Sequence, residues 1–116
     1  MTDKKIIGKK AEDIACSYLQ RNGLSLIERN YHCRYGEIDL IMDDDETLVF
    51  IEVRYRSQST FGDAIDSIDQ KKQRKIVFAA NHYLQNLKTL KPCRFDVIAL
   101  SSDNSPEWIV DAFMET

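Results

Sequence analysis

Residues 36–56, GEIDLIMDDDETLVFIEVRYR, decide how this chain is read. Both arms alternate apolar and polar side chains, as half-buried strands do. The acidic run Asp43, Asp44, Asp45, Glu46 between them is a turn signal. A turn centred on Asp45 and Glu46 sets Asp39 directly opposite Glu52. Ile38, Leu40 and Met42 then share one face with Val49, Ile51 and Val53. Glu37, Asp39 and Ile41 share the other with Phe50, Glu52 and Arg54. A slip of one residue would scramble this sorting, so the pattern predicts the register.

The register has an electrostatic cost. Opposed residues hold their Cβ atoms about 4.5–5.5 Å apart, and like charges there repel. Two ionised carboxylates that close call for a cation or a proton between them. A hard divalent ion such as Mg²⁺ suits carboxylate oxygens and water. Two acids on a solvated sheet face are the competing explanation of the pair alone.

The length of 116 residues implies one domain, 1–116, with an ordinary core. Apolar residues make up 43% and charged residues 30%, a globular composition. No apolar run approaches the roughly 20 residues of a membrane span. The start, MTDKKIIGKK, is no secretory signal, so a cytoplasmic location is the default expectation. Cys16, Cys33 and Cys93 are odd in number and widely spaced, which argues against structural zinc. Cys16 and Cys93 read as small buried hydrophobes. His32 and Cys33, as strand neighbours, point to opposite faces. Net charge is −3, but the basic residues cluster at Lys4, Lys5, Lys9 and Lys10, at Arg54 and Arg56, and at Lys71, Lys72, Arg74 and Lys75. Distribution matters more than the sum for nucleic-acid binding.

Around the hairpin, residues from about Lys4 to Asn22 read as a helix closed by Gly23. A strand covers about Leu24 to Cys33. Ser57 to Asp66 is a polar loop. Ser67 is the expected cap of a second helix, with Gln70 at the capping-box position and an end near Leu87. Strands follow at about Cys93 to Leu100 and Trp108 to Phe113, joined by the turn SSDNSP. The order is α-β-β-β-α-β-β, an α/β fold with a mixed sheet flanked by helices. The long connection through the second helix suits a crossover to a parallel neighbour.

Each helix carries an anomaly. Ile7, Ala11, Ile14, Ala15, Tyr18 and Leu19 form the apolar arc of the first, and Glu12 falls at its edge. Glu12 could lean towards the sheet or reach solvent. The second helix turns Ile76, Ala80, Tyr83, Leu84 and Leu87 inward. Traced back, that face becomes polar at Asp69 and Gln73, with Lys72 at its edge. Such a face suggests a lined cavity, and helix N-termini favour anions. On the outer face, Lys71, Arg74 and Lys75 could touch a phosphate backbone, with Phe78 among them. Acids on adjacent strands, a cation two residues on, a helix-one acid and polar groups from helix two suit metal-assisted phosphodiester hydrolysis.

The spacing D-x12-E-x-R in this element order resembles the PD-(D/E)xK, restriction-endonuclease-like superfamily. More closely, G-x-x-A-E at Gly8 to Glu12, GEIDLI, VFIEVRYR and KKQRKI resemble the small bacterial YraN family. The resemblance runs from Gly8 to the strand RFDVIAL. That family is similar to archaeal Holliday-junction resolvases and is described as endonuclease-like on that ground.

The resemblance implies Asp39 and Glu52 as ligands of Mg²⁺ or Mn²⁺, with Glu12 as the helix-one acid beside them. It makes Lys72 and Gln73 the K-Q pair of the second helix, and leaves Glu37 in the motif without a defined role. Its implied substrate is DNA, branched DNA included. Arg54 stands where the superfamily usually has lysine, a position at which the family carries either. Arginine stays protonated, so it can orient a phosphate but cannot be a general base. Lys72 could supply the lysine's role from the helix. In this reading Glu12, Asp39, Glu52, Arg54, Lys72 and Gln73 carry the chemistry, and Arg56, Lys71, Arg74 and Lys75 contact nucleic acid. Arg54 also keeps open a binding module that does not cut, and the acidic tail an interaction protein without nucleic acid. Two symmetric cuts would need a twofold dimer.

Overall fold

The computed structural model describes residues 4–56, 68–88, 90–101 and 106–113. The elements are α1 (Lys4–Arg21), β1 (Ser25–Cys33), β2 (Gly36–Asp44), β3 (Thr47–Arg56), α2 (Gln70–Gln85), β4 (Cys93–Ser101) and β5 (Glu107–Phe113). This is the α-β-β-β-α-β-β order of the restriction-endonuclease-like fold. The sheet order is β1-β2-β3-β4-β5. Only the β3–β4 neighbours are parallel, as the crossover through α2 requires.

The β2–β3 hairpin follows the predicted register, with Met42 opposite Val49 and Asp44 opposite Thr47. Asp45 and Glu46 have φ of 49° and 76°. Positive φ at both central residues is what a type I′ hairpin turn demands, and it strains residues other than Gly and Asn. The paired positions end at Leu40 and Ile51, one pair short of Asp39 and Glu52. There the Asp39 carboxylate accepts a hydrogen bond from the Val53 amide at 2.8 Å.

Alternation sorts the sheet into two cores. Leu40, Met42, Val49, Ile51, Ile98 and Leu100 meet Ala11, Ala15 and Leu19 of α1. Ile41, Leu48, Phe50, Phe95 and Val97 meet Ile76, Val77, Ala79 and Ala80 of α2. Ile38 departs from expectation, since it packs with the α2 cluster instead of with Leu40. β2 stops alternating where its side chain, not its backbone, bonds β3. Phe50, Phe95 and Phe113 stack in succession across the α2 side, at centroid spacings of 5.6 and 5.1 Å.

Gly23 ends α1 as expected. Its φ is 98°, and Leu24 and Gly23 donate to the carbonyls of Leu19 and Gln20. This is a Schellman cap, with Leu24 packed in the same cluster as Leu19. The α1 arc is rotated from the expected one. Ile14 is 52% exposed, whereas Cys16 is buried, as read from the sequence. The cap of α2 is Asp69, which accepts from the Lys72 amide at 2.8 Å. Ser67, the expected cap, lies outside the described residues, as does the loop Ser57 to Asp66. The helix ends at Gln85, short of Leu87. Cys93 is half-buried, not buried, and the three cysteines are free thiols. Among the described residues, no helix is long and apolar enough to cross a membrane.

Asp96 of β4 is fully buried and fully occupied. Its carboxylate accepts from Arg94 Nε at 3.0 Å, Trp108 Nε1 at 2.9 Å and the Asp111 amide at 2.9 Å. Arg94 reaches on to Asp44 at 3.0 Å. The carboxylate therefore ties β5 and the β2–β3 hairpin to β4. Asp96→Ala leaves three donors without their acceptor and should cost about 3–5 kcal/mol in chemical denaturation. Glu46→Gly relieves a positive φ and should raise stability by about 0.5–1 kcal/mol, read the same way.

Candidate active site

The site forms where β2 and β3 part. Glu52 follows Phe50 on the α2 face and is only 7% exposed. Burying a carboxylate there without a partner would be costly. The partner comes from the first turn of α2, where Lys72 Nζ stands 3.1 Å from Glu52 Oε1. Arg54, two residues on and on the same face, brings its Nε within 4.0 Å of the same oxygen. Burial pushes the Glu52 carboxyl above its ordinary pKa, and the Lys72 and Arg54 cations oppose that rise.

Among the described residues, no cation pairs with Asp39 as Lys72 does with Glu52. Burial first, and then the charge of Glu52, push its pKa up to about 7. The Val53 amide works against the rise, while Glu12 and Glu37 add to it. The charge of Glu52 thus reaches Asp39, although the backbone pairing stops one pair short of the two acids. Their surroundings differ, with an ammonium at one and a backbone amide at the other.

Glu12 leans inward from α1, as one of the two sequence alternatives held. Ala11, Cys16 and Ala15 are buried around it. Its carboxylate lies 3.5 Å from Arg29 Nη2, and Arg29 Nη1 holds Asp13 at 2.7 Å. Arg29 pairs with Leu40 and so belongs to the face under α1. Sequence reasoning missed it. The available signal was a cation on β1, and the bulge between Leu26 and Glu28 obscures which face that cation takes.

The other sequence candidates divide. Gln73 donates from Nε2 to the Ile68 carbonyl at 3.0 Å, tethering the chain just before α2. Glu37 sits opposite His32 and contacts its Nε2 at 2.7 Å. Lys71, Arg74 and Lys75 are exposed on the outer side of α2. The Arg56 side chain lies outside the described part of the structure. An open groove of about 390 Å³ runs beside the site, lined by Gly36, Glu37, Asp69, Lys71, Lys72 and Lys75 among others. Gly36 lets β2 approach α2, since a Cβ there would stand 3.5 Å from Lys75 Cβ.

The donor set suits a hard divalent ion in one respect and limits it in another. A buried carboxylate, Glu52, beside a half-buried one, Asp39, whose pKa it raises, is a donor pair that a divalent ion would suit. Yet among the described residues no three His, Cys, Asp or Glu side chains converge as a metal cage. Asp39 and Glu52 would be the direct ligands, with water completing the shell. Glu12, engaged by Arg29, would act through water.

Comparison with known proteins places this geometry in a family. Residues 11–100 match the model of "Uncharacterised protein family UPF0102". That span holds Glu12, Asp39, Glu52, Arg54, Lys72 and Gln73. A UPF0102 protein of Nitrosococcus oceani is 57% identical over 111 residues, covering 91% of this chain and 90% of the relative. One from Psychromonas ingrahamii is 57% identical over 109 residues, 93% and 89% of the two chains. Another, from Alcanivorax borkumensis, is 46% identical over 119 residues, 97% and 95%.

The raised pKa of Asp39 has a signed consequence. Its folded value near 7 lies above the roughly 3.9 of an unfolded chain. The proton it keeps stabilises the fold at pH 4, and that stabilisation drains away as pH rises through 7. Asp39→Asn keeps an acceptor for the Val53 amide and removes the titration. The variant should exceed wild type at pH 8 by on the order of 1–3 kcal/mol and converge on it towards pH 4. Urea denaturation at the two pH values measures the difference, and equal stability at pH 8 would contradict this electrostatic account.

Proposed function

We propose a metal-dependent DNA endonuclease for this chain, which belongs to the UPF0102 family. The observation that carries the reading is the Asp39–Glu52 pair with Lys72 3.1 Å from Glu52, at the head of a groove lined by lysines. A pair of carboxylates, one of them buried beside cations, supplies the parts that phosphodiester hydrolysis uses.

In this reading Asp39 and Glu52 hold Mg²⁺ or Mn²⁺. When bound, the ion would polarise the scissile phosphate and lower the pKa of a water. Asp39 must first give up its proton, so loading improves as pH rises towards 7. Lys72 and Arg54 supply fixed positive charge for the developing negative charge of the phosphate. Arg54 cannot take a proton, which leaves Lys72 as the lysine of the site. Gln73 holds the chain at Ile68 and so positions the helix end that presents Lys72. Glu12 acts on the far side through water. DNA that branches is the substrate class suggested by the resolvase-like resemblance.

A second reading keeps the fold and the binding but not the cutting. Arg54 in the usual lysine position is the observation that favours it.

Labelled four-way junction, flap and linear duplex DNA, each incubated with Mg²⁺ or Mn²⁺, separate the two. Cleavage should appear with wild type and vanish in Asp39→Asn and Glu52→Gln. Lys72→Ala should slow it by about 100-fold. DNA binding that survives in all variants, with no cutting by wild type under either metal, would establish the second reading. An unchanged rate in Lys72→Ala would remove Lys72 from the chemistry.

A further inference from the structure

Beyond the carboxylate pair, α2 carries a second feature that the proposed chemistry does not use. Lys71, Lys75, Phe78, His82 and Gln85 recur every three or four residues, so they form one stripe along the helix. The N-terminal half of the stripe is basic and the C-terminal half aromatic. The β1–β2 turn lies against the aromatic half. Tyr35 meets Phe78 at 5.9 Å between ring centroids and His82 at 6.1 Å. Arg34 covers the Tyr35 ring at 5.0 Å and donates to its hydroxyl at 2.9 Å.

These rings are not spent on the core. Phe78 is 52% exposed and Tyr35 39%. Beside them opens a groove of about 300 Å³, lined also by Asn81, His82 and Gln85. It follows the lysine-lined groove along the same seam between α2 and the start of β2. Phe78 lies about 9 Å along the helix axis from Lys72. At about 3.4 Å per nucleotide of one strand, two to three nucleotides bridge that distance.

We propose that the Tyr35–Phe78 groove is a stacking site for an unpaired nucleotide of a DNA strand whose backbone follows Lys71, Arg74 and Lys75 to the carboxylate pair. The proposal rests on the nuclease reading and names the substrate class of that site: DNA with a single-stranded arm or splayed end. Three observations converge on it. The groove offers aromatic faces, which bind any base by stacking. The neighbouring groove is lined by Lys71, Lys72 and Lys75 in a chain of net charge −3, which complements a phosphate backbone. The Gln85 amide lines the Tyr35–Phe78 groove, and amides can bond base edges. A paired base is already stacked within its duplex and presents no free face to such a groove.

The test uses the full chain without divalent metal, so that no strand is cut. Fluorescence anisotropy compares a blunt duplex with the same duplex carrying a three-nucleotide DNA flap that contains 2-aminopurine. Wild type should bind the flap DNA about tenfold more tightly and quench the 2-aminopurine. Phe78→Leu keeps an apolar side chain but no ring face, and should lose both the preference and the quenching while binding blunt duplex as before. Phe78→Trp should restore them. The stacking site is overturned if Phe78→Leu weakens both DNAs equally, if it changes neither, or if an RNA flap of the same sequence is preferred. Equal binding of the two DNAs by wild type, together with metal-dependent cutting of blunt duplex, overturns the stacking site and leaves the nuclease standing. Absence of binding to either DNA overturns both.

Discussion

One pairing register, that of β2 on β3, organises the molecule. The sorting of the hairpin's side chains from Leu40 to Ile51 follows from it. With Leu40 opposite Ile51, one face of the hairpin supplies the α1 core and the other the α2 core. The same register brings Glu52 under the first turn of α2 and Asp39 beside Val53. A slip by one residue would expose Phe50, bury Thr47 and carry Glu52 away from Lys72. The register is in turn anchored from outside the hairpin, because Arg94 of β4 bonds both Asp44 and the buried Asp96.

Within that frame the two acids are compensated unequally. Glu52 receives two cations, one from its own strand and one from α2. Asp39 receives a backbone amide, and three acids raise its pKa. Placing the cation on a helix has a structural effect as well. The Lys72–Glu52 contact fastens the start of α2 to the middle of the sheet, while the Asp69 cap and the Gln73–Ile68 bond fix the approach of the chain to that point. The first turn of α2 is therefore held by three polar contacts before its apolar face begins at Ile76.

Much of this was legible in the sequence because the hairpin is strictly periodic and its turn symmetric. The strand order, the hairpin register from Leu40 to Asp44, the Gly23 cap and the polar start of α2 all depend on local spacing. What was not legible depends on contacts between distant residues. Ile38 changes sides because a carboxylate replaces a backbone bond, which no alternation pattern encodes. Ile14 is exposed because α1 is rotated towards Cys16, a residue read as buried but left outside the apolar arc traced by the larger side chains. Arg29 joins Glu12 and Asp13 across 17 and 16 positions, and a β-bulge shifts the phase of its strand. The Asp96 network joins β4 to β5 through a tryptophan ring nitrogen and the amide of Asp111. The family match adds that the span 11–100 recurs as a unit, and it contains every residue of the site.

The two outer strands have a feature in common. β1 carries a bulge and a left-handed Asn30, with φ of 52°, and β5 carries a left-handed Asp111, with φ of 56°. Each edge of the sheet is kinked, so neither presents a straight row of unpaired amides and carbonyls. Such edges resist templating a sixth strand from another chain, which guards a small sheet protein against runaway strand addition. Among the described residues the sheet has five strands, and the kinks at its two outer strands work against growth by strand pairing.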